Sequence, residues 1–161
     1  MGLAPELSTP FFVAASDILR DVTGQEVVQE KMLTHTQPEF LSLGLAVVIG
    51  IVGHCQGRFI IDMESRTAIR LASLMNMTSL TELDDLVKST MGELGNMASG
   101  IATTRLQNKG FDFQITPPTL FEGREMTVST PAWLPVLITP LTTTLGEVRI
   151  NLAIGPATKI D

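Results

Sequence analysis

The sequence predicts an α+β fold, in which an antiparallel sheet of about six strands carries about three helices and the two halves of the chain are pseudo-symmetric. Helix patterns stand between runs of short strand patterns, which is typical of helices packed on an antiparallel sheet. Each half has a helix pattern followed by strand patterns and closes with a hairpin. The segment GRFIIDM in the first half is similar to GEVRINLAI in the second, which indicates an internal repeat.

The composition predicts a folded chain that does not bind nucleic acid. The 161 residues are 44% hydrophobic and 17% charged, so we expect a buried core and a single domain over residues 1–161. The formal net charge is −6, and lysine and arginine do not cluster. A nucleic acid is therefore excluded as the main partner, because neutralising phosphates needs a basic face.

Cysteine content and apolar runs predict a cytoplasmic protein without a membrane partner. Cys55 is the single cysteine, so no internal disulfide can form, which suits a reducing compartment. The N-terminus has no signal-peptide pattern. The longest apolar run, residues 43–53, is far shorter than the ~20 residues that span a bilayer.

The first half contains one helix pattern and three strand patterns. Apolar residues recur at three- and four-residue spacing in the helix pattern, which stops at Gly24. The longest apolar run is rich in valine and isoleucine, which predicts a buried strand. These elements are a helix at 10–23, strands at 26–36, 43–53 and 58–63, and a turn at 54–57.

The second half begins with two helices and ends in strands. The first helix is short, and Thr78 or Ser79 is a candidate N-cap for the long helix that follows. The last two strands are expected to be joined by a loop around Pro140. These elements are helices at about 64–75 and 82–108 and strands at 111–116, 124–130, 133–139 and 147–154.

The long helix has one predicted buried face and one polar strip. At 100° per residue, with Leu86 at 0°, the predicted buried face covers about 100° and is flanked by Ala98 and Ala102. The polar strip is about 60° wide and faces away from it. The buried face consists of Leu83, Val87, Thr90, Leu94, Met97 and Ile101, and the strip of Ser89, Glu93, Asn96 and Gly100.

Three glycines in this helix need an explanation, because each costs about 0.8–1 kcal/mol relative to alanine. Gly92 and Gly100 lie near the polar strip, where small residues would let another molecule approach Glu93 and Asn96 closely. Gly95 lies off the strip and suits internal packing. On spacing alone, packing inside the fold explains Gly92 and Gly100 equally well.

At these residues the chain resembles the CheX/CheC/FliY family of chemotaxis phosphatases. The family signature is Ser or Asp, three residues, Glu, two residues, Asn, twenty-one residues and Pro. Ser89, Glu93, Asn96 and Pro118 satisfy each spacing, and GELGNMASG is a typical context. The resemblance covers most of the chain. The first helix has no second E-x-x-N, so the resemblance implies a CheX-like member with one site per chain.

The resemblance implies a phosphatase that acts on the phospho-aspartate of a CheY-like receiver domain. Asn96 would position the attacking water, and Glu93 would pair with the receiver's lysine. Ser89, Gly92 and Gly100 would contact the receiver or act secondarily, and Pro118 would shape a strand end. The chain would need no metal or cofactor of its own, because the receiver supplies Mg²⁺. A homodimer is also implied.

Other functions and sites stay open at this point. The alternatives are a non-catalytic module that docks onto receivers or a dimeric scaffold, and a flagellar-switch-associated role is a third, because FliY-type proteins share the motif. His54 and Cys55 are adjacent, but neighbours in sequence rarely point at each other, and His35 stands alone. Trp133 is expected in the core or at a dimer interface. No Cys/His cluster has metal-ligand spacing, and the glycine-rich stretch lacks the lysine of a phosphate-binding loop.

Overall fold

The computed structural model describes residues 5–31, 33–35 and 39–156, which form an α+β fold with three helices. The helices are α1 (Pro5–Thr23), α2 (Ser65–Met75) and α3 (Asp85–Gln107). The strands are β1 (Val28–Gln29), β2 (Leu33–His35), β3 (Glu39–Leu41), β4 (Leu45–Gly53), β5 (Cys55–Met63), β6 (Phe113–Ile115), β7 (Thr119–Glu122), β8 (Thr127–Ser129), β9 (Val136–Thr143) and β10 (Gly146–Pro156). None of these helices is long and apolar enough to cross a bilayer.

The main sheet is antiparallel and is built around the pairing of β5 with β10. Its strand order is β1-β9-β10-β5-β4-β6, with β2 also paired to β9 and β7 to β4. The hairpins β4–β5 and β9–β10 each contribute their second strand to the centre, where Phe59 lies opposite Leu152. The two hairpins are thus related by an approximate two-fold axis, as the predicted pseudo-symmetric halves require.

The two faces of the sheet are covered differently. All three helices pack on one face, where α1 also packs against α3 and the largest side chains, such as Phe11 and Phe59, are fully buried. The ribbon formed by β3 and β8 lies over the other face and closes a smaller core around Phe40, Ile60 and Leu134. The helical face is the one that carries the polar strip of α3.

Helix α1 begins five residues before the predicted start. It starts at Pro5, a residue suited to a first helical turn, and runs through Pro10, which the sequence indicated as its beginning. Pro10 removes one helical hydrogen bond, but Pro10, Phe11 and Phe12 are all buried. Burial of these side chains outweighs the local cost of the proline.

The strands differ from the prediction where pairing with distant strands decides them. The segment predicted as one strand at 26–36 contains two short strands, which pair with different parts of β9. Strand β5 starts at Cys55, because Gly53 at φ 128° makes the turn earlier than expected. Strand β7 was not predicted, and the predicted strand at 124–130 is reduced to β8.

Pro140 lies inside β9, so the prediction of a loop there was wrong. It lies between Ile138, which pairs with β2, and Leu141, which pairs with β1. The carbonyl oxygen of Pro140 accepts a hydrogen bond of 2.9 Å from the Glu30 N–H. A proline is tolerated here because it lies between the part of β9 that pairs with β2 and the part that pairs with β1, both of them short edge strands.

Asp62 is a fully buried carboxylate that holds the loop between β3 and β4. It accepts hydrogen bonds from the Ser42 hydroxyl (2.6 Å) and the Leu43 N–H (2.8 Å). Burial raises the pKa of the Asp62 carboxyl, and the bonds from Ser42 and Leu43 oppose that rise. The next residue of this loop, Gly44, accepts a bond from the Gly123 N–H just beyond β7.

We predict that Asp62 lowers the stability of the fold as the pH rises. Its folded pKa lies above the unfolded value of about 3.9, so the folded state holds the proton more tightly. Stability contributed by this group is therefore present at low pH and is lost as the pH rises through the folded pKa. Urea unfolding of wild type and Asp62→Asn between pH 4 and 7 should show the wild type losing stability relative to the variant.

Ser42→Ala is the matched comparison, because it removes a hydrogen bond that lowers this pKa. The free energy of unfolding of Ser42→Ala should therefore fall more steeply with rising pH than that of the wild type. A difference between wild type and Asp62→Asn that stays constant over this range would contradict the prediction.

Candidate functional site

Helix α3 has a side-chain N-cap that was not predicted from the sequence. The Asp84 carboxylate accepts a hydrogen bond of 3.0 Å from the Val87 N–H, and Asp85 adds a second acid to the first turn. The suggested caps Thr78 and Ser79 lie several residues earlier. The helix therefore begins at Asp85 rather than at Glu82.

The buried face of α3 is rotated from the predicted one towards the small residues. Its centre includes Val87, Leu94, Ala98 and Ala102, which are at most 2% exposed. Two large apolar residues assigned to that face lie outside it, Met97 (40% exposed) and Ile101 (37%), and Leu86 at its 0° edge is 44% exposed. The prediction placed large apolar side chains on the buried face, whereas close packing against α1 and the sheet also requires small side chains there.

The polar strip faces solvent. Ser89, Glu93 and Asn96 are exposed, and Gly100 is partly exposed, with no atom of the described residues within 4 Å of an added Cβ. Glu93 and Asn96 are three residues apart on one helix, so their side chains are neighbours. The strip thus presents a carboxylate and a carboxamide side by side on a rigid element.

An open groove of about 400 Å³ runs beside this strip. The strip and Lys88 form one side of the groove. Pro118 and Leu120 form the other, and each approaches the Cβ position of Gly92 to 3.6 Å. The chain reaches Pro118 by leaving α3, forming β6 and turning back, which places a residue far along the sequence opposite Asn96. The lining residues are Lys88, Ser89, Gly92, Glu93, Asn96, Pro118 and Leu120.

A surface ion pair links the far wall of the groove to α3. The Lys88 ammonium lies 2.7 Å from Glu122 at the end of β7, and donating to Glu122 raises the pKa of Lys88. Beyond it, Gly123 bonds to the loop that Asp62 anchors. This pair was not predicted from the sequence, because Glu122 is brought next to Lys88 by β7, a strand that was itself not predicted.

The three glycines of α3 have different surroundings. A Cβ on Gly95 would lie 2.9 Å from Val47 Cγ1 and 3.0 Å from Ile49 Cδ1, so Gly95 serves internal packing. Gly92 lies against the groove wall, and Gly100 borders open space. Because α3 approaches β4 closely at Gly95, this contact determines the distance between the polar strip and the sheet.

The remaining candidates are not brought together as a second site. Cys55 is buried, which raises the pKa of its thiol and disfavours a nucleophilic thiolate, whereas His54 is exposed in the turn. Trp133 is half exposed and lines a separate groove with Arg58, rather than lying in the core. His35 belongs to β2, with its side chain outside the described residues. No metal-binding group of three or more His, Cys, Asp or Glu residues occurs in the described ranges.

The chain matches a known family over the part that carries this groove. Residues 45–142 match the family described as chemotaxis phosphatase CheX. The CheY-P phosphatase CheX of Thermotoga maritima is 36% identical over 113 residues, which cover 70% of this chain and 72% of that protein. Ser89, Glu93, Asn96 and Pro118 all lie inside the matched range.

Solved structures share the fold. A chain of the CheX–CheY–BeF₃–Mg²⁺ complex from Borrelia burgdorferi is 33% identical, with a TM-score of 0.80, and the match covers 92% of this chain and 97% of that one. A CheC-like superfamily protein from Shewanella sp. PV-4 has a TM-score of 0.86 at 21% identity, covering 95% and 99%. The second likeness supports the fold alone.

We predict opposite effects on stability for alanine at Gly95 and at Gly100. At Gly95 the added methyl meets two fully buried side chains, and overpacking costs about 1–3 kcal/mol, which exceeds the helix-propensity gain of about 0.8–1 kcal/mol. At Gly100 the gain is unopposed, because no atom in the described part of the chain lies within 4 Å of the added methyl group. Urea unfolding should find Gly95→Ala less stable and Gly100→Ala more stable than the wild type.

The two variants control for each other, since both replace glycine by alanine in the same helix. Equal stabilities would show that α3 does not lie as close to β4 as the structure has it.

Proposed function

Because the chain belongs to the CheX family of chemotaxis phosphatases, we propose that it hydrolyses the phospho-aspartate of a CheY-like receiver domain at the groove beside α3. It is a hydrolase of this family by its match to the CheY-P phosphatase CheX. The receiver is the proposed partner, and the Borrelia complex of CheX with CheY supports that choice. The roles of individual residues are our proposal.

One observation carries this assignment: Glu93 and Asn96 are adjacent, exposed and raised beside an open groove on a rigid helix. Small-molecule substrates are usually enclosed in deeper pockets that bury most of their surface. An open groove on a helix instead suits a group that protrudes from the surface of another protein. A phosphorylated aspartate on a receiver is such a group.

The proposed reaction needs a positioned water rather than a nucleophile of this chain. Water attacks phosphorus, the bond from phosphorus to the aspartyl oxygen breaks, and inorganic phosphate and a free carboxylate result. The Asn96 carboxamide is neutral, so it can hold the water by hydrogen bonds without repelling the phosphoryl oxygens as a carboxylate would. Fixing the water in line removes part of the entropic barrier.

Glu93 has the proposed role of orienting the receiver. Its carboxylate is exposed and projects one helical turn from Asn96, so a cation of the partner that pairs with it would be held beside the amide. A lysine of the receiver active site is the proposed cation. Lys88 does not compete for Glu93, because it is paired with Glu122.

The groove itself does not suit a metal ion, so we assign Mg²⁺ to the receiver. Of the described groove residues, Glu93 is the only carboxylate, and the nearby Glu122 is engaged by Lys88. Mg²⁺ prefers several oxygen ligands in octahedral geometry, which one carboxylate and one amide do not provide. The metal supplies charge neutralisation at the phosphoryl group, while this chain supplies positioning.

The other signature residues have proposed secondary roles. Ser89 and Gly100 lie on the exposed strip, where they would contact the receiver at close range. Gly92 and Pro118 face each other across the groove, so their proposed role is to shape it.

A homodimer and a cytoplasmic location complete the proposal. The dimer rests on the family resemblance. The sequence made exposed strands near 133–154 candidates for its interface, but β9 and β10, which cover most of that segment, are paired on both sides within the described chain. The location rests on Cys55, a free buried thiol that suits a reducing compartment.

We predict that Asn96→Ala lowers kcat for receiver dephosphorylation about 10²-fold. That loss is typical when one preorganised hydrogen-bonding group at a transition state is removed. Asn96→Asp should be at least as impaired, because the carboxylate repels the phosphoryl group. Phosphate release from a phosphorylated CheY domain measures both.

Gln107→Ala is the matched control, since it removes a carboxamide from the exposed end of the same helix, about 16 Å along the axis, where it donates one long hydrogen bond (3.4 Å) to the Phe113 carbonyl oxygen. It should retain the wild-type rate. Equal rates for wild type and Asn96→Ala would contradict catalysis by Asn96 and favour a non-catalytic binding module.

We predict that Glu93→Lys weakens receiver binding at least tenfold, because it replaces attraction of the receiver lysine by repulsion. The dissociation constant for a CheY domain loaded with beryllofluoride measures the effect. Glu6→Lys on α1 changes the net charge equally and should bind like the wild type. Unchanged binding by Glu93→Lys would exclude the docking role.

A further inference from the structure

The exposed arc of α3 has an apolar half that the proposed chemistry does not use. Leu86, Met97 and Ile101 are 37–44% exposed and lie at about 0°, 20° and 60° on the helix, where Glu93 lies at about 340°. We name these three residues the apolar ridge. The polar groove therefore lies on one side of Glu93 and the apolar ridge on the other.

The polar atoms between the members of the ridge are already satisfied inside the fold. Thr90 lies between Leu86 and Met97 and is buried. Its hydroxyl donates to the Leu86 carbonyl oxygen at 2.7 Å and accepts from the Asn76 side-chain amide at 2.9 Å. The ridge thus offers apolar side chains without an unpaired hydroxyl between them.

Distances along the helix place the whole ridge within reach of a docked domain. At 1.5 Å per residue, Met97, Leu86 and Ile101 lie about 6, 10 and 12 Å from Glu93 along the axis. A standard interface buries about 800 Å² per partner, which corresponds to a disc about 16 Å in radius. A domain centred on Glu93 and Asn96 therefore covers all three residues.

We propose that the apolar ridge is the apolar half of the receiver-docking surface and packs against an apolar patch beside the receiver's phosphorylated aspartate. This inference rests on the proposed function. Charged and polar groups at an interface set orientation and specificity, whereas a few well-buried side chains contribute most of the affinity. Glu93 and Asn96 align the phosphoryl group, and the ridge holds the receiver in place.

A second copy of this chain is a poorer occupant of the ridge. Met97 follows Asn96 directly and lies one turn from Glu93, so a copy seated on the ridge would also cover both groove residues. Such a dimer would exclude the receiver from the site. The receiver is the occupant that contacts the polar strip and the apolar ridge at the same time.

The test replaces the ridge by glutamine, which keeps helix propensity and side-chain length. Leu86→Gln, Met97→Gln, Ile101→Gln and the triple variant are compared with the wild type. The probe is a CheY domain that the wild type dephosphorylates, loaded with beryllofluoride and Mg²⁺ for binding and phosphorylated for kinetics. We expect each single variant to raise Kd and KM about fivefold, and the triple variant more, with kcat within about twofold.

Val13→Gln is the matched control. Val13 is 40% exposed on α1, in a cleft with Arg105, which lies about 18 Å from Glu93 along α3. It should bind and turn over like the wild type. Wild-type Kd and KM in the triple variant would overturn the proposal.

Two further measurements distinguish failure of the ridge proposal from failure of catalysis by Asn96. A triple variant that loses self-association in light scattering but keeps the receiver Kd would assign the ridge to a second copy and overturn the proposal. If Asn96→Ala retained the wild-type rate while the ridge variants still weakened binding, catalysis by Asn96 would fail and the docking surface would stand.

Discussion

The close contact between α3 and β4 at Gly95 is the constraint on which the geometry of the site depends. With no room for a Cβ against Val47 and Ile49, the helix lies low on the sheet and can rotate little about its axis. Ala98 and Ala102 continue the same narrow face. Glu93 and Asn96 are consequently held outward, opposite a wall that Pro118 and Leu120 provide and the Lys88–Glu122 pair links to α3.

The same constraint explains what the sequence could and could not predict. Apolar periodicity predicted the short and long helices of the second half, and the long apolar run predicted the buried strand β4. The order of these elements predicted the fold class. Helical winding placed Ser89, Glu93 and Asn96 together on one strip, and the structure has them exposed there. The roles of these residues came from family resemblance, since winding alone carries no chemistry.

The errors arose where contacts between distant residues decide the structure. Met97 and Ile101 were assigned to the core because large apolar side chains usually lie there, whereas the close approach of β4 at Gly95 turns α3 so that both side chains are partly exposed. Strand β7 was missed because its pairing with β4, and not its own four-residue pattern, makes it a strand. Without β7, the ion pair between Lys88 and Glu122 had no sequence signal.

The proposed catalyst is therefore a surface rather than a pocket: one amide to hold water, one carboxylate to align the partner and an apolar ridge to bind it. A crystal structure of this chain with a beryllofluoride-loaded CheY domain would test that account most directly. The account predicts the Asn96 carboxamide within hydrogen-bond distance of a water in line with beryllium, and the receiver seated across Glu93. A receiver bound on another face, with Asn96 still exposed to solvent, would contradict it.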